Sequence, residues 1–251
     1  MNATSRPREV VITGAGRGIG RAIALRFAEG GARVFINFFV NREAAEKTAR
    51  DVELAGGSAH LVQADLKEPA EIRRLFAEVA KQTSRLDVLV NNAASGVLKQ
   101  AMDLTAKHWD WVMATNARPF LLCAQEAAKL MGAGGRVISL TSLGSQRVIP
   151  GYAAVGISKA AAEAVTRYLA VELAPRGITV NTVCAGAVET DIWRAIPGGD
   201  RLLEAARSRT PGGALVTADA VADIVFFLAG AAAQPIQGQI IVADGGYSLL
   251  A

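Results

Sequence analysis

Cysteine, histidine and aromatic residues are all scarce in this chain of 251 residues. The two cysteines, Cys123 and Cys184, lie in apolar segments, and two are too few for a disulfide framework in a chain of this length. We expect both to be reduced core residues. The two histidines, His60 and His108, lack the spacing of metal ligands, so the sequence argues against a metal site.

Long apolar runs and blocks of like charge are also missing. No apolar run approaches the roughly 18 residues that suggest a membrane span, and residues 1–8 lack the apolar stretch of a signal peptide. We therefore expect a cytoplasmic protein that is not membrane-bound. The formal net charge is +4, and basic residues are interspersed with acidic ones, which argues against nucleic-acid binding but leaves an acidic partner possible.

Short runs rich in Val and Ile alternate with longer segments of helical period, and 51% of all residues are apolar. The predicted strands are 9–13, 33–37, 59–64, 86–90, 135–140, 178–183 and 239–242. The predicted helices are 18–29, 41–55, 69–81, 106–131, 151–174 and 217–229. Such alternation requires parallel strands joined by helical crossovers. It predicts an α/β fold with a doubly wound, seven-stranded parallel sheet in a single domain, 1–251.

One irregular stretch, 188–216, interrupts this pattern and contains Pro197 and Pro211. Irregular stretches of this length in compact chains are usually functional lids or disordered insertions. We expect it to be a substrate lid.

A glycine-rich turn, TGAGRGIG at 13–20, follows the first predicted strand and opens the first helix. A dinucleotide site needs a tight turn, a backbone without Cβ atoms near the pyrophosphate, and a helix N-terminus that favours the anion. The sequence therefore predicts that Gly14, Gly18, Ile19 and Gly20 bind a dinucleotide.

The end of the second strand indicates which dinucleotide. An NAD site normally places an acid there, but residues 37–42 read NFFVNR and contain no carboxylate. Arg17 and Arg42 would match a 2′-phosphate with guanidinium groups, which favours NADPH. The alternative is that both arginines are simply solvated.

Further motifs follow the later strands, and with the glycine turn they make the chain resemble the short-chain dehydrogenase/reductase family over essentially its full length. They are Asp65-Leu66, Asn91-Asn92-Ala93-Ala94, Asn116, Ser142, Lys159, the stretch AGAVET at 185–190, and Asp244-Gly245-Gly246. The resemblance implies that Asp65 and Leu66 border the adenine and that Asn91 and Ala93 line the ribose region. It also implies that Lys159 holds the nicotinamide ribose, and that Gly186, Val188 and Thr190 contact the cofactor near its carboxamide. Ala185 stands where the family usually has Pro.

The chain departs from the family where the proton donor is expected. That donor is usually a tyrosine four residues before the lysine, but Val155 occupies the position here. The nearby tyrosine is Tyr152, seven residues before Lys159. At about 100° per residue, seven steps return to within roughly 20° of the starting direction, so both side chains face one cleft about two turns apart.

This spacing favours one chemistry over another. In a ketone the carbon that accepts hydride also carries the oxygen that is protonated, so the acid must lie close to the nicotinamide. In an α,β-unsaturated thioester, hydride goes to the β-carbon, while negative charge accumulates on the carbonyl oxygen. That oxygen lies two bonds beyond the α-carbon. The stabilising hydroxyl must then be set back, as Tyr152 is.

The Tyr-x6-Lys spacing resembles the enoyl-acyl carrier protein reductases, and the surrounding sequence is most similar to the NADPH-dependent type III branch. The resemblance implies reduction of an enoyl thioester on acidic acyl carrier protein in fatty acid synthesis, and a homotetramer. Val40 stands where that branch leads us to expect Arg, which leaves the 2′-phosphate to Arg17 and Arg42.

Three other features keep two interpretations each. Ser142 donates to the substrate carbonyl or satisfies a loop backbone. Asn116, by the family pattern, supports Lys159 through a water, or else it kinks its helix. The arginines of the lid meet an acidic carrier protein, or they belong to a solvated amphipathic helix. These arginines are Arg194, Arg201, Arg207 and Arg209.

Three functions follow from these residues. The leading hypothesis is an NADPH-dependent enoyl-thioester reductase, in which Tyr152 stabilises the enolate and Lys159 orients ribose and tyrosine. The second is a carbonyl reductase in which Tyr152 reaches the oxygen after a shift of the helix start. The third is a non-catalytic NADPH-binding protein, suggested by Val155.

Overall fold

Seven parallel strands form one sheet in the computed structural model, which describes residues 7–190 and 198–250. The strands are β1 (Glu9–Ile12), β2 (Arg33–Phe38), β3 (Ser58–Gln63), β4 (Val88–Asn91), β5 (Arg136–Ser142), β6 (Thr179–Ala185) and β7 (Ile240–Ala243). Their order across the sheet is β3-β2-β1-β4-β5-β6-β7, and every neighbouring pair is parallel. The predicted doubly wound fold is confirmed.

Eight α-helices lie within the described part of the chain. They are α1 (Gly18–Ala28), α2 (Arg42–Leu54), α3 (Pro69–Gln82), α4 (Ala106–Asn116), α5 (Arg118–Leu130), α6 (Ala153–Leu173), α7 (Gly199–Arg209) and α8 (Ala218–Leu228). Helices α1, α2 and α8 share one buried apolar cluster with the sheet, whereas α3, α5 and α6 share another. Because both faces are covered, strands β1, β4 and β6 are buried along their whole length rather than at alternate residues, as in parallel sheets generally.

The strand order reverses between β1 and β4. Strand β2 lies on one side of β1 and strand β4 on the other, so the loops after β1 and β4 diverge and leave a crevice at the carboxyl edge of the sheet. Ligands of open α/β sheets bind at such a point. The fold therefore places the glycine turn at the mouth of a ready-made cleft.

The predicted helix at 106–131 is wrong in one respect, because the chain forms two helices there. Helix α4 ends at Asn116, and Ala117 separates it from α5. Pro119 lies in the first turn of α5, where its missing N–H costs nothing, but the same residue cannot continue a helix that began upstream. The other predicted elements have the observed type, with ends within two residues of those predicted.

The stretch 188–216 is less irregular than the sequence suggests. Val188 and Val216 pair in a parallel bridge that brings the two ends of the insertion together. Between them lies α7, which buries Leu203 and exposes Arg201 and Arg207. The expectation of an irregular segment is therefore wrong for this part. The predicted lid residues Ile192, Trp193, Arg194 and Ile196 lie outside the described residues.

Candidate active site

The turn after β1 needs glycine for reasons that the geometry makes explicit. Gly14 and Gly18 have φ of 63° and 56°, in the left-handed region that side chains disfavour. At Gly20 the constraint is space, because a Cβ there would lie 2.5 Å from both the Asn92 side-chain nitrogen and the Gly14 carbonyl oxygen. These glycines therefore allow the first turn of α1 to pack against β4.

The N-terminus of α1 fits a phosphate group. Arg17 precedes the helix in an extended conformation, and no described side chain caps the helix there. The first backbone N–H groups of a helix have no intrahelical partner, so those of Gly18, Ile19 and Gly20 remain available to an anion. The predicted pyrophosphate site is thus consistent with the local geometry.

A buried hydrogen-bond network behind the turn was not predicted from the sequence. The Thr13 hydroxyl accepts bonds from the backbone N–H groups of Asn92 and Ala93, at 2.9 and 3.0 Å. The Asn92 side chain donates to the carbonyl oxygens of Thr13 and Gly14. Asn37, at the end of β2, accepts from the Gly14 N–H at 3.3 Å. The polar residues at these strand ends were the available signal, since buried polar groups must be paired.

The expected 2′-phosphate residues flank this turn. Arg42 is the first residue of α2, with its guanidinium 5.3 Å from the centre of the Phe38 ring. It donates to the Gln63 side chain at 3.0 Å and lies 3.8 Å from Glu46. Arg17 is exposed. Both side chains are therefore exposed, and the guanidinium of Arg42 lies beside the end of β2.

The residues expected around the adenine and its ribose follow β3 and β4. Asp65 accepts from the Lys67 N–H at 3.0 Å, and Leu66 is buried. The Asn91 side chain is buried and donates to the Ser139 hydroxyl. Ala93 packs so closely on Gly14 that a Cβ at Gly14 would be 2.9 Å from the Ala93 Cα.

The segment after β6 completes the rim of the cleft. Gly186 packs against Asp244, where an added Cβ would lie 2.8 Å from the Asp244 Cβ. Val188 is buried, and the Thr190 methyl group lies 3.7 Å from where a Cβ of Gly18 would stand. The fold therefore brings residues from the ends of β1, β4 and β6 to one place, as the sequence predicted.

The expected catalytic hydroxyls lie together at the other end of the cleft. Ser142 is the last residue of β5, and its Oγ is 3.3 Å from the Tyr152 Oη. Tyr152 immediately precedes α6 rather than lying within it, although its carbonyl accepts the first helical bond, from the Gly156 N–H. The predicted helix start at 151 is corrected, yet the helical spacing toward Lys159 is retained.

The Lys159 side chain extends from α6 to strand β5 of the sheet. Its Nζ donates to the Leu140 carbonyl oxygen at 2.9 Å. Burial lowers the pKa of Lys159 to about 8, opposed by Cys184 and Glu163. Burial also raises the pKa of Tyr152, opposed by the hydrogen bond from Ser142. The phenol is therefore neutral at physiological pH, as a proton donor must be.

Val155 fills the position of the usual family tyrosine with packed hydrocarbon. It is buried in a small cluster with Val112 and Ala154. A Cβ at Gly96 would lie 2.1 Å from the Val155 Cγ2, so the loop after β4 rests directly on this side chain. The hydroxyls of Tyr152 and Ser142 lie together toward the cleft, and the hydroxyl of Ser158 lies behind it, bonded to Asn116.

Asn116 ties the end of α4 to the loop after β4. Its side chain exchanges bonds with the backbone N–H and carbonyl of Ser95, at 2.9 and 2.8 Å, and donates to the Ser158 hydroxyl at 2.9 Å. Ser158 is the neighbour of Lys159 in α6. The helix ends at Asn116, as the kinking interpretation expects, and a water-mediated role toward Lys159 stays a prediction.

Cys123 and Cys184 are both buried free thiols, as predicted. Among the residues that the structure describes, no group of three or more potential ligands is arranged to hold a metal ion. Over the same ranges, no helix has the length and apolar character needed to cross a membrane.

Comparison with known proteins places this site in a family. A family model described as enoyl-(acyl carrier protein) reductase matches residues 14–248. A short-chain dehydrogenase from Burkholderia cenocepacia J2315, solved in complex with NADP, is 36% identical, with a TM-score of 0.90 over 96% of this chain and 98% of the other. The chain belongs to the short-chain dehydrogenase/reductase family.

Two curated relatives are similar over nearly their whole length. The 1-cyclohexenylcarbonyl-CoA reductase of Streptomyces collinus is 44% identical over 99% of this chain and 90% of its own. The chloroplastic NADPH-dependent aldehyde reductase 2 of Arabidopsis thaliana is 36% identical over 95% and 93%. Both proteins are named as reductases, one of a CoA thioester and the other of aldehydes.

Proposed function

We propose that this protein is an NADPH-dependent reductase of the carbon–carbon double bond of a 2-enoyl thioester, acting on enoyl-acyl carrier protein in fatty acid synthesis. One observation carries the proposal. The hydroxyl of Tyr152 lies 3.3 Å from that of Ser142, and Tyr152 is one helical turn before the usual donor position. The usual position itself is filled by the buried side chain of Val155.

The cofactor is NADPH, in agreement with the NADP-bound relative and the NADPH-dependent one. The uncapped start of α1 would hold the pyrophosphate, and Arg17 and Arg42 would face the 2′-phosphate. Asp65, Leu66, Asn91 and Ala93 would border the adenine and its ribose. Gly186, Val188 and Thr190 would line the nicotinamide end. When bound there, NADPH supplies a hydride.

Tyr152 and Lys159 divide the remaining work. The neutral phenol of Tyr152 donates a hydrogen bond to the thioester oxygen as negative charge develops there. The α-carbon of this enolate then takes its proton from water, which restores the thioester carbonyl. Lys159 lies on the same side of α6 and adds positive charge and a grip on the nicotinamide ribose. Ser142, 3.3 Å from the phenol, orients it or shares in binding the oxygen.

The surface beside Tyr152 suits an apolar acyl group. Tyr152 pairs with Lys99 in an isolated bridge, which brings the segment 97–102 next to the segment 148–152. The exposed apolar side chains of these two segments are Leu98, Met102, Val148 and Ile149. Apolar side chains left exposed around a polar site are typical of a ligand-binding groove.

The Streptomyces collinus relative supports a conjugated thioester. Its name specifies a CoA thioester whose acyl group carries a ring double bond beside the carbonyl. That name also shows that the carrier need not be a protein in related enzymes, so the choice of acyl carrier protein over CoA requires its own test.

The lid helix supplies a test of the carrier. Arg201 and Arg207 are exposed on α7, and Arg207 lies 3.4 Å from Glu189 and 3.7 Å from Glu204. We expect reversal of charge at Arg201 and Arg207 to raise KM for the carrier-linked substrate and not for the CoA thioester. Equal KM values for the carrier substrate before and after reversal would contradict docking of the carrier at α7.

A carbonyl reductase is the second candidate. The observation that favours it is the position of Tyr152 before α6 rather than inside it, since a residue outside the helix needs less rearrangement to approach the nicotinamide. The aldehyde reductase of Arabidopsis thaliana is a relative of that kind.

One set of assays separates these functions. Purified protein is mixed with NADPH and either crotonyl or acetoacetyl thioester, and the absorbance of the cofactor is followed. We expect turnover of crotonyl thioester, and a loss of at least about 100-fold in Tyr152→Phe, because the phenol stabilises the charge on the thioester oxygen. Turnover of the acetoacetyl compound alone would establish the carbonyl reductase, and cofactor binding without any turnover would indicate a binding protein.

A further inference from the structure

Helix α6 carries a second ionisable side chain one turn beyond Lys159. Glu163 lies on the same face of the helix as Lys159, and it is 5% exposed. Glutamate is seldom buried to this extent unless it is paired. The reaction proposed above assigns it no task.

The partners of Glu163 come from the strand and turn that carry Ser142. Its Oε1 accepts a hydrogen bond from the Thr141 hydroxyl at 3.0 Å and another from the Ser145 hydroxyl. Thr141 directly precedes Ser142, and Ser145 closes the turn that follows it. The Ser145 Oγ is also 2.8 Å from the Ser142 carbonyl oxygen. One carboxylate oxygen therefore binds both sides of Ser142.

The same turn determines where the phenol lies. The Ser142 Oγ is 3.3 Å from the Tyr152 Oη. Within the turn, Gly144 lies against the tyrosine ring, because a Cβ there would be 2.5 Å from a ring carbon. A displacement of the turn would therefore move both the hydroxyl partner and the packing surface of Tyr152.

We propose that Glu163 is a positioning residue: by binding Thr141 and Ser145, its carboxylate holds the Ser142 hydroxyl against the Tyr152 hydroxyl. This inference rests on the proposed role of Tyr152 in stabilising the thioester oxygen.

Glu163 also affects the charge of Lys159. Burial is the main influence on the pKa of Lys159 and lowers it to about 8, while Cys184 and Glu163 act in the opposite direction. The other ionisable groups around this point are Tyr152 before α6 and Asp244 after β7, which acts on Cys184. Burial raises the pKa of Cys184 to about 11, so its thiol is neutral near pH 8. The carboxylate of Glu163 is then the group that favours protonated Lys159.

Three variants separate position from charge. Glu163→Gln keeps an acceptor oxygen for both hydroxyls and removes the charge. Glu163→Leu keeps the approximate size of the side chain and removes both the acceptor oxygen and the charge. Glu172→Gln makes the same chemical change at an exposed position of the same helix. Circular dichroism, thermal unfolding and the Kd for NADPH check that each variant is folded.

A double-mutant cycle with Ser142→Ala tests the pathway directly, because coupled residues give non-additive effects. We expect Glu163→Leu to lower kcat about tenfold in the wild-type background and less than about twofold in Ser142→Ala, with KM for NADPH unchanged. We expect Glu163→Gln to retain kcat within about threefold and to move the alkaline limb of the pH profile to lower pH. We expect Glu172→Gln to change neither kcat nor the pH profile. Should Glu163→Leu fail to fold, Ser145→Ala takes its place in the cycle.

The outcomes distinguish this inference from the proposed function. The cycle is run with whichever thioester, crotonyl or acetoacetyl, the wild-type enzyme reduces. Equal losses in both backgrounds overturn the positioning role, whichever substrate is used. Reduction of acetoacetyl thioester alone overturns the proposed function while the cycle still decides the role of Glu163. If neither thioester is reduced, both ideas fail.

Discussion

At the scale of single residues, the main feature of the site is that hydrogen bonds and packing hold its polar side chains in place. Lys159 is held by the Leu140 carbonyl, and Tyr152 is held between Ser142 and Gly144. Side chains positioned by packing and hydrogen bonds before the substrate arrives need little reorganisation during the reaction. Val155 stands where the family usually has its tyrosine, so we propose that Tyr152 stabilises the substrate oxygen instead.

The lowered pKa of Lys159 predicts a pH dependence. The folded protein binds its proton with a pKa of about 8, below the ordinary value for lysine, because burial disfavours the charged form. Lys159 is therefore charged below about pH 8 and neutral above it. We expect kcat/KM for NADPH to be level below that pH and to fall about tenfold per unit above it.

Steady-state rates between pH 6 and 10 measure this limb. The stability of the fold should follow the opposite course: between pH 8 and the ordinary lysine pKa the unfolded chain binds more protons, so this group makes stability rise with pH. A kcat/KM that stays level to pH 9.5 would show that the charge of Lys159 is not required.

Much at the residue scale followed from the sequence, and the exceptions have physical reasons. The glycines were predicted from their place between a strand and a helix, Lys159 from the family resemblance, and Tyr152 from its helical spacing to Lys159. Glu163 and the network of Thr13, Asn37 and Asn92 were missed. Their partners lie in distant segments, and the pattern of one segment does not show which side chains will meet across the sheet.

At the scale of elements, the turn between β1 and α1 is the most tightly constrained part of the site. Gly20 lies where a side chain would collide with both Asn92 and Gly14. This close approach keeps the first turn of the helix aimed into the cleft. The residues that follow β4 and β6 then enclose it.

We expect Gly20→Ala to weaken NADPH binding by at least about tenfold and to lower the free energy of unfolding by about 1–3 kcal/mol, because the added methyl group overpacks this contact. Titration of cofactor fluorescence and denaturant unfolding measure the two effects. Gly132→Ala is the matched control, since an added Cβ there meets no atom within 4 Å. Equal Kd values for the two variants would contradict the account of the turn.

The types of the elements were predicted well, but the points at which helices break or begin were predicted poorly. Hydrophobic period shows where a helix lies, but the break between α4 and α5 follows from Pro119 and from the Asn116 side chain binding Ser95. Similarly, the two prolines at 197 and 211 indicated a loop, whereas the eleven residues of α7 between them form a helix.

At the scale of the whole molecule, the helices α4, α5 and α6 leave an apolar groove on the surface. It is lined mainly by hydrocarbon, including Met113, Leu121 and Val165. The family resemblance implies a homotetramer built in part through these helices. A second copy of the chain would cover this groove.

We expect a mass in solution about four times the 26.2 kDa of one chain. Leu121→Asp should reduce it, because a charge buried in an apolar interface is costly. Sedimentation velocity at micromolar concentration measures both proteins, with Leu54→Asp, an exposed residue at the end of α2, as the control. A monomeric wild-type protein would contradict the expected assembly.

The proposed mechanism depends above all on where the Tyr152 hydroxyl lies relative to a bound substrate. A crystal structure with NADP and an enoyl thioester measures this directly. We predict the Tyr152 Oη within about 2.6–3.2 Å of the thioester oxygen, with the β-carbon facing the nicotinamide. A structure in which the phenol points into solvent, or in which another hydroxyl binds that oxygen, would contradict the proposed mechanism.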